Sequence, residues 1–122
     1  MKVAVCAQDN HLDARVDPRF GRCPYFVVVN LDSGDWEAIQ NTGIHSSGGA
    51  GVHTAQLLVN RGINAVLVDR IGPNAIEVLN RAGIQTYGGI HGTVRQSIEA
   101  YRQGKLPRLS QPNSSSHGLG RG

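Results

Sequence analysis

Only two cysteines, Cys6 and Cys23, occur in the 122 residues. They do not form a Cys-x-x-Cys pair, which sets aside a four-cysteine iron–sulfur or zinc site. No apolar run approaches the roughly 20 residues that a membrane helix needs. The opening Met1-Lys2-Val3-Ala4-Val5 reads as a strand and not as an export segment. The expected location is therefore cytoplasmic, with both thiols reduced. Walker spacing is absent, and no Gly-x-Gly-x-x-Gly follows the first apolar run, so the common nucleotide-binding fingerprints are missing. An excess of one charge is missing as well. The formal net charge is +3, yet residues 1–104 hold nine Lys/Arg against nine Asp/Glu, and Lys105, Arg108 and Arg121 supply the whole surplus. A neutral body offers no nucleic-acid face.

What is present suits one domain large enough to bury a core without disulfides. Lys2–Ala7 is a short apolar run and predicts a strand. After the polar stretch Gln8–Pro24, Tyr25–Leu31 is rich in aromatic and β-branched residues and predicts a second strand. Asp32-Ser33-Gly34-Asp35 is turn chemistry, so Trp36–Gln40 should return as a hairpin arm. A helix is predicted from about Val52 to Arg61, closed by Gly62, then a buried strand at Ala65–Val68. Gly72-Pro73-Asn74 opens a second helix ending near Arg81, because proline is tolerated at an early helical position. Gln85–Tyr87 is a fifth short strand, and Thr93 caps a third helix over Val94–Gln103. From Lys105 to Gly122 the composition turns to Pro, Ser, Gly and Asn without periodicity, which predicts a disordered tail after a 1–104 domain.

A three-strand meander followed by alternating helices and strands implies an α/β fold with one mixed sheet. Right-handed crossovers give five strands in the order 3-2-1-4-5, with three helices. The segments Gln8–Pro24, Asn41–Gly51, Asp69–Asn74 and Gly88–Thr93 then converge on one edge of the sheet. All three helix N-termini face that edge, where open α/β sheets bind ligands and where helix dipoles favour an anion.

The stretch Asn41–His53 is the most informative part of that edge. It carries four glycines, two histidines, three hydroxyls and no charged side chain. Glycines let backbone N–H groups approach a ligand, and a helix start directs unpaired N–H groups toward it. His45 and His53 flank the glycines, and His91 lies in the last strand–helix loop; all three are candidate soft-metal ligands. Cys23 has two readings, a buried thiol beside the second strand or a thiophilic ligand favoured by nearby guanidiniums. Arg19 and Arg22 either pair with Asp13 and Asp17 or hold an anion while Phe20 packs beneath. The second reading of the arginines is preferred.

The run Val16-Asp17-Pro18-Arg19-Phe20-Gly21-Arg22-Cys23-Pro24-Tyr25-Phe26 resembles a motif of the dinitrogenase iron–molybdenum cofactor-binding family. Gly48-Gly49-Ala50-Gly51-Val52, Ile71-Gly72-Pro73-Asn74-Ala75 and Gly92-Thr93-Val94 resemble that family's three helix starts. The likeness runs through residues 1–104 in order. It implies an RNase H-like motif fold and non-catalytic binding of an anionic metal–sulfur cluster, molybdenum with iron or copper, held non-covalently or by few ligands. Storage or delivery during cofactor assembly follows, with cluster donor and acceptor proteins and assembly ATPases as partners. No nucleic acid or membrane is implied, and a monomer or weak dimer is expected. The residues implicated in holding the cluster are Arg19, Phe20, Gly21, Arg22, Ser46, Ser47, Gly48, Gly49, Ala50, Gly51, Gly72, Pro73, Asn74, Gly92 and Thr93. The chain has Arg19 where many relatives have His before Phe-Gly-Arg, which favours charge pairing with an anion there.

Two other functions fit the same edge. A metal-dependent nuclease would use Asp9 and Asp69, but the first helix has no Asp or Glu to complete the set. A phosphate-ligand regulator would use the helix ends alone.

Overall fold

The central strand is buried on both faces, and that fact organises the molecule. The computed structural model describes residues 1–45 and 49–114. Its strands are β1 (Lys2–Ala7), β2 (Tyr25–Asn30), β3 (Trp36–Gln40), β4 (Ala65–Leu67), β5 (Gln85–Tyr87) and β6 (Arg108–Leu109). The helices are α1 (Ala50–Asn60), α2 (Pro73–Arg81) and α3 (Val94–Arg102), with a 3₁₀ turn at Thr42–His45. β1 pairs antiparallel with β2, in a register that sets Cys6 against Phe26, and parallel with β4, with Val3 beside Ala65.

Alternation along β1 sends Ala4 and Cys6 to one face and Val3 and Val5 to the other. The first face packs with Phe26, Val66 and Val68 against Ala55 and Leu58 of α1 and Ala75, Ile76 and Leu79 of α2. The second packs with Val27, Val29, Ala65 and Leu67 against Val94 and Ile98 of α3. Apolar residues on both faces explain why these strands read as continuous hydrophobic runs.

The strand order is β3-β2-β1-β4-β5-β6. The first five follow the order expected from the sequence, but the sheet has six strands, not five. β6 comes from the segment predicted to be disordered, and it pairs antiparallel with β5 through Thr86–Leu109 and Tyr87–Arg108. Its anchor is one side chain: Leu109 fills the space over Gly88, where a Cβ would come within 2.9 Å of Leu109 Cδ1. Leu106 and Leu109 alone in a polar stretch give no periodicity to read. Residues 115–122 of the predicted tail lie outside the described residues.

The chain leaves β1 on one side to build β2 and β3, then returns on the other side as β4. The strand order therefore reverses between β1 and β4, and the loops leaving those two strands border the crevice where such sheets take ligands.

Candidate anion-binding site

Two of the three helix starts at this edge are open and one is closed. The α1 N-cap is Gly49, at φ +76°, and the α2 N-cap is Gly72; neither end has a side-chain cap. The two starts lie close together: a Cβ built at Gly51 would sit 3.4 Å from Ala75 Cβ, in van der Waals contact. Gly21 brings the Arg19–Cys23 turn onto the same place, since its own Cβ would stand 2.9 Å from the Gly51 nitrogen. That close approach accounts for glycine at position 21 in structural terms. Asn74 and Pro73 form the first turn of α2, where the proline removes one N–H from the open set.

α3 differs. Thr93 Oγ1 accepts from Gln96 N, and Gln96 Oε1 accepts from Thr93 N, a reciprocal capping box. Val94 N donates to Ala14 O and Arg95 N to Leu12 O, each at 2.9 Å. The first-turn N–H groups of α3 are thus spent on the 8–24 loop. Gly92, at φ +76°, shapes that junction. Gly92 and Thr93 dock the loop, while among the described residues the first-turn N–H groups of α1 and α2 make no such bonds. The sequence signal was present: Thr-x-x-Gln is a capping box.

The arginines divide the same way. Arg19 forms a two-pronged pair with Asp17, Nε to Oδ1 at 3.1 Å and Nη2 to Oδ2 at 3.0 Å. Asp17 is buried, with 1% of its side chain exposed, whereas Arg19 keeps 63%. The guanidinium is therefore fixed by a carboxylate beneath it and open to solvent above, and both readings of Arg19 describe part of it. Asp13, the other candidate partner, pairs with Arg95 instead, and this contact holds its carboxyl below the usual range. Among the described residues the Arg22 side chain hydrogen-bonds the Ile44 carbonyl alone, at 3.5 Å. Phe20 is buried and meets Phe26 edge-on at 5.7 Å, so its ring supports the turn from below and offers no surface to a ligand.

The soft ligands are fewer than the sequence suggests. His53 is exposed on the first turn of α1, and His91 is exposed before α3. The His45 side chain, with Ser46, Ser47 and Gly48, lies outside the described residues. Ala50 is buried. Cys23 has no exposed area, and its thiol donates to Phe20 O at 3.4 Å. The buried-thiol reading is the one this geometry supports, because a ligand at the crevice could not reach Cys23. Cys6 is equally buried beside it, and burial first, then the neighbouring sulfur, push the Cys6 thiol well above its ordinary range.

A family model for the dinitrogenase iron-molybdenum cofactor matches residues 1–104. The chain belongs to that family. The apo form of the orange protein from Desulfovibrio gigas is 36% identical, with a TM-score of 0.90 over 93% of this chain and 96% of that one. An uncharacterized protein of Methanocaldococcus jannaschii is 34% identical over 112 residues, 89% of this chain and 92% of its own.

Three residues that support this edge carried no family motif and were missed in the sequence. Asn41, fully buried, accepts at Oδ1 from Gly43 N (3.0 Å) and Thr54 Oγ1 (3.1 Å), and donates from Nδ2 to Cys23 O (2.8 Å). It ties the arginine turn, the 3₁₀ turn and α1 together. Arg70 follows β4, and its backbone lies beside that of Arg19 in an isolated parallel bridge. Asn113, beyond the span matched by the family model, hydrogen-bonds the loop that carries Arg70. Asn41 stood next to the glycine stretch and its isolation among small residues was a usable signal; Asn113 offered none.

Proposed function

We infer that this chain binds an anionic metal–sulfur cluster, molybdenum with iron or copper, and carries it without catalysis. The observation that carries the reading is the pair of open helix starts. α1 and α2 begin side by side with no side-chain cap, beside Arg19, Arg22 and Arg70, while the third helix start is sealed. Unpaired N–H groups and guanidiniums neutralise a polyanion without specifying its shape, which suits a cargo that must be released. His53 and His91 supply imidazoles from two sides for the few direct contacts. Family membership supports a cofactor of this class, and so does the similarity to a protein known in an apo form. Cluster donor and acceptor proteins of cofactor assembly are the partners this role requires.

A hydrolytic reading finds less support. Asp9 is turned to Asn10 N and His11. Among the described residues no three His, Cys, Asp or Glu side chains gather to hold a metal ion. No helix among them is long and apolar enough to cross a membrane.

The test is oxygen-free titration of the protein with tetrathiomolybdate, with and without copper(I), and with inorganic phosphate as the contrasting anion. A charge-transfer band and metal that co-elute with the protein are expected, together with a rise in thermal midpoint. At a hundredfold excess over Kd, binding to the native state alone contributes about 2.7 kcal/mol. His53→Ala and His91→Ala should weaken retention without lowering the midpoint of the free protein. Protein that stays colourless and is stabilised by phosphate alone would favour the phosphate regulator and end the cluster reading.

A further inference from the structure

The C-terminal segment does more than add a strand. After β6, Asn80 Nδ2 donates to Ser110 O at 3.2 Å, and the chain then crosses to the start of α2. There Asn113 makes three hydrogen bonds to one short loop. Ile71 N donates to Asn113 Oδ1 at 2.8 Å, Asn113 Nδ2 donates to Asp69 O at 2.8 Å, and Asn113 N donates to Ile71 O at 3.1 Å. The residue between Asp69 and Ile71 is Arg70. Its own backbone N donates to Pro18 O at 3.2 Å, which sets Arg70 alongside Arg19 in a parallel bridge. The Arg70 backbone is thus gripped from both sides, and its side chain is left exposed.

We propose that Arg19 and Arg70 form a two-guanidinium clamp for an anionic oxo- or thiometallate across the β1–β4 crevice, with Asn113 as the residue that positions Arg70. This rests on the cluster-binding reading and adds to it the residues that grip the anion. Asp17 consumes one edge of Arg19 and fixes its direction, so Arg19 Nη1 and the outer N–H of Nη2 remain for a ligand. Arg70 forms no ion pair among the described residues; Asp69 beside it forms none either. The bridge sets the two arginine backbones side by side, and two exposed cations at neighbouring positions attract an anion. The hydrogen bonds fix the backbone on either side of Arg70, and its guanidinium has no carboxylate partner among the described residues. The neighbouring open starts of α1 and α2 lie on the same crevice and add donors of the same polarity.

The experiment is a double-mutant cycle on the full chain with tetrathiomolybdate as probe and molybdate as the oxo analogue, combined with amide exchange. Arg70→Ala should weaken binding about tenfold, the loss of one charge-assisted contact, with a shallower salt dependence. Asn113→Ala should weaken it several-fold, and exchange at the Ile71 amide should quicken. If Asn113 acts through Arg70, the double variant binds no more weakly than Arg70→Ala alone, whereas a merely structural role makes the two losses multiply. Arg70→Lys should restore part of the affinity in the wild-type background and little of it with Asn113→Ala. Wild-type binding that is indifferent to both substitutions, or losses that multiply, overturns the clamp and leaves the cluster reading standing. Failure of the wild-type chain to bind either anion overturns both.

Discussion

Asn41→Ala removes the buried junction that holds the arginine turn, the 3₁₀ turn and α1 in register. Three side-chain hydrogen bonds disappear, those to Cys23 O, Gly43 N and Thr54 Oγ1. At a net value near 1 kcal/mol each, the bonds alone contribute about 3 kcal/mol. The Gly43 N–H and the Cys23 carbonyl are left buried without these partners, and that penalty brings the expected loss to about 3–5 kcal/mol. For a domain of this size the thermal midpoint should fall by roughly 12–20 °C. Chemical denaturation followed by circular dichroism measures the loss directly, provided the denaturant slope is unchanged. Thr54→Val is the internal scale, since it deletes one bond and should cost about 1 kcal/mol. A loss below about 1 kcal/mol for Asn41→Ala would falsify the account, because it would mean that water replaces the side chain and the junction is not sealed. A large loss of anion binding with unchanged stability would be equally damaging, since Asn41 touches no surface a ligand can reach.

Four further outcomes are expected. The thiols of Cys6 and Cys23 should resist a disulfide reagent in the native state and react only at the rate of unfolding, because both are fully buried. The folded pKa of Cys6 lies above its unfolded value, so this contribution to stability is complete below the ordinary thiol pKa and is lost as pH rises toward the raised one; the midpoint should decline above about pH 9, and Cys6→Ala should flatten that decline. Arg22→Ala should weaken thiometallate binding less at high salt than at low, whereas Gly49→Val, which strains a φ of +76° and obstructs the α1 start, should weaken it at any salt. Truncation after Gly104 should lower the thermal midpoint measurably, because it removes β6 and the Leu109 packing over Gly88.

The strand order was legible because burial on both sides of β1 leaves a run of apolar residues that polar loops punctuate, and handedness does the rest. The edge was legible for the same reason: topology delivers the loops there whatever their side chains. What the edge contains was legible only in part. The glycines at 49, 51 and 72 were read as a cradle with all three helix starts facing it; α1 and α2 have no side-chain cap, whereas α3 has one. Gly21, by contrast, is explained by the approach of Gly51, a contact between segments thirty residues apart in the chain, which no local pattern encodes. Cys23 was ambiguous because neighbouring arginines suggest a thiolate, while its burial depends on Asn41 folding over it from a different loop.

The arginines show where the limit lies. Counting charges made residues 1–104 neutral and left the +3 excess in the last residues, but neutrality of the whole says nothing about the crevice. Asp13 is drawn away to Arg95 on α3, Asp17 is buried under Arg19, and Asp32 serves the N-terminal amine at 2.8 Å. With those carboxylates committed elsewhere or sunk beneath the surface, Arg19, Arg22 and Arg70 stay exposed. Which charges are paired is set by the choice of partners, and that choice belongs to tertiary structure. The strap obeys the same logic. Asn113 sits in a polar run that buries little, yet it makes three hydrogen bonds to the backbone of Asp69 and Ile71, so a segment with no pattern of its own is ordered by the pattern it lands on.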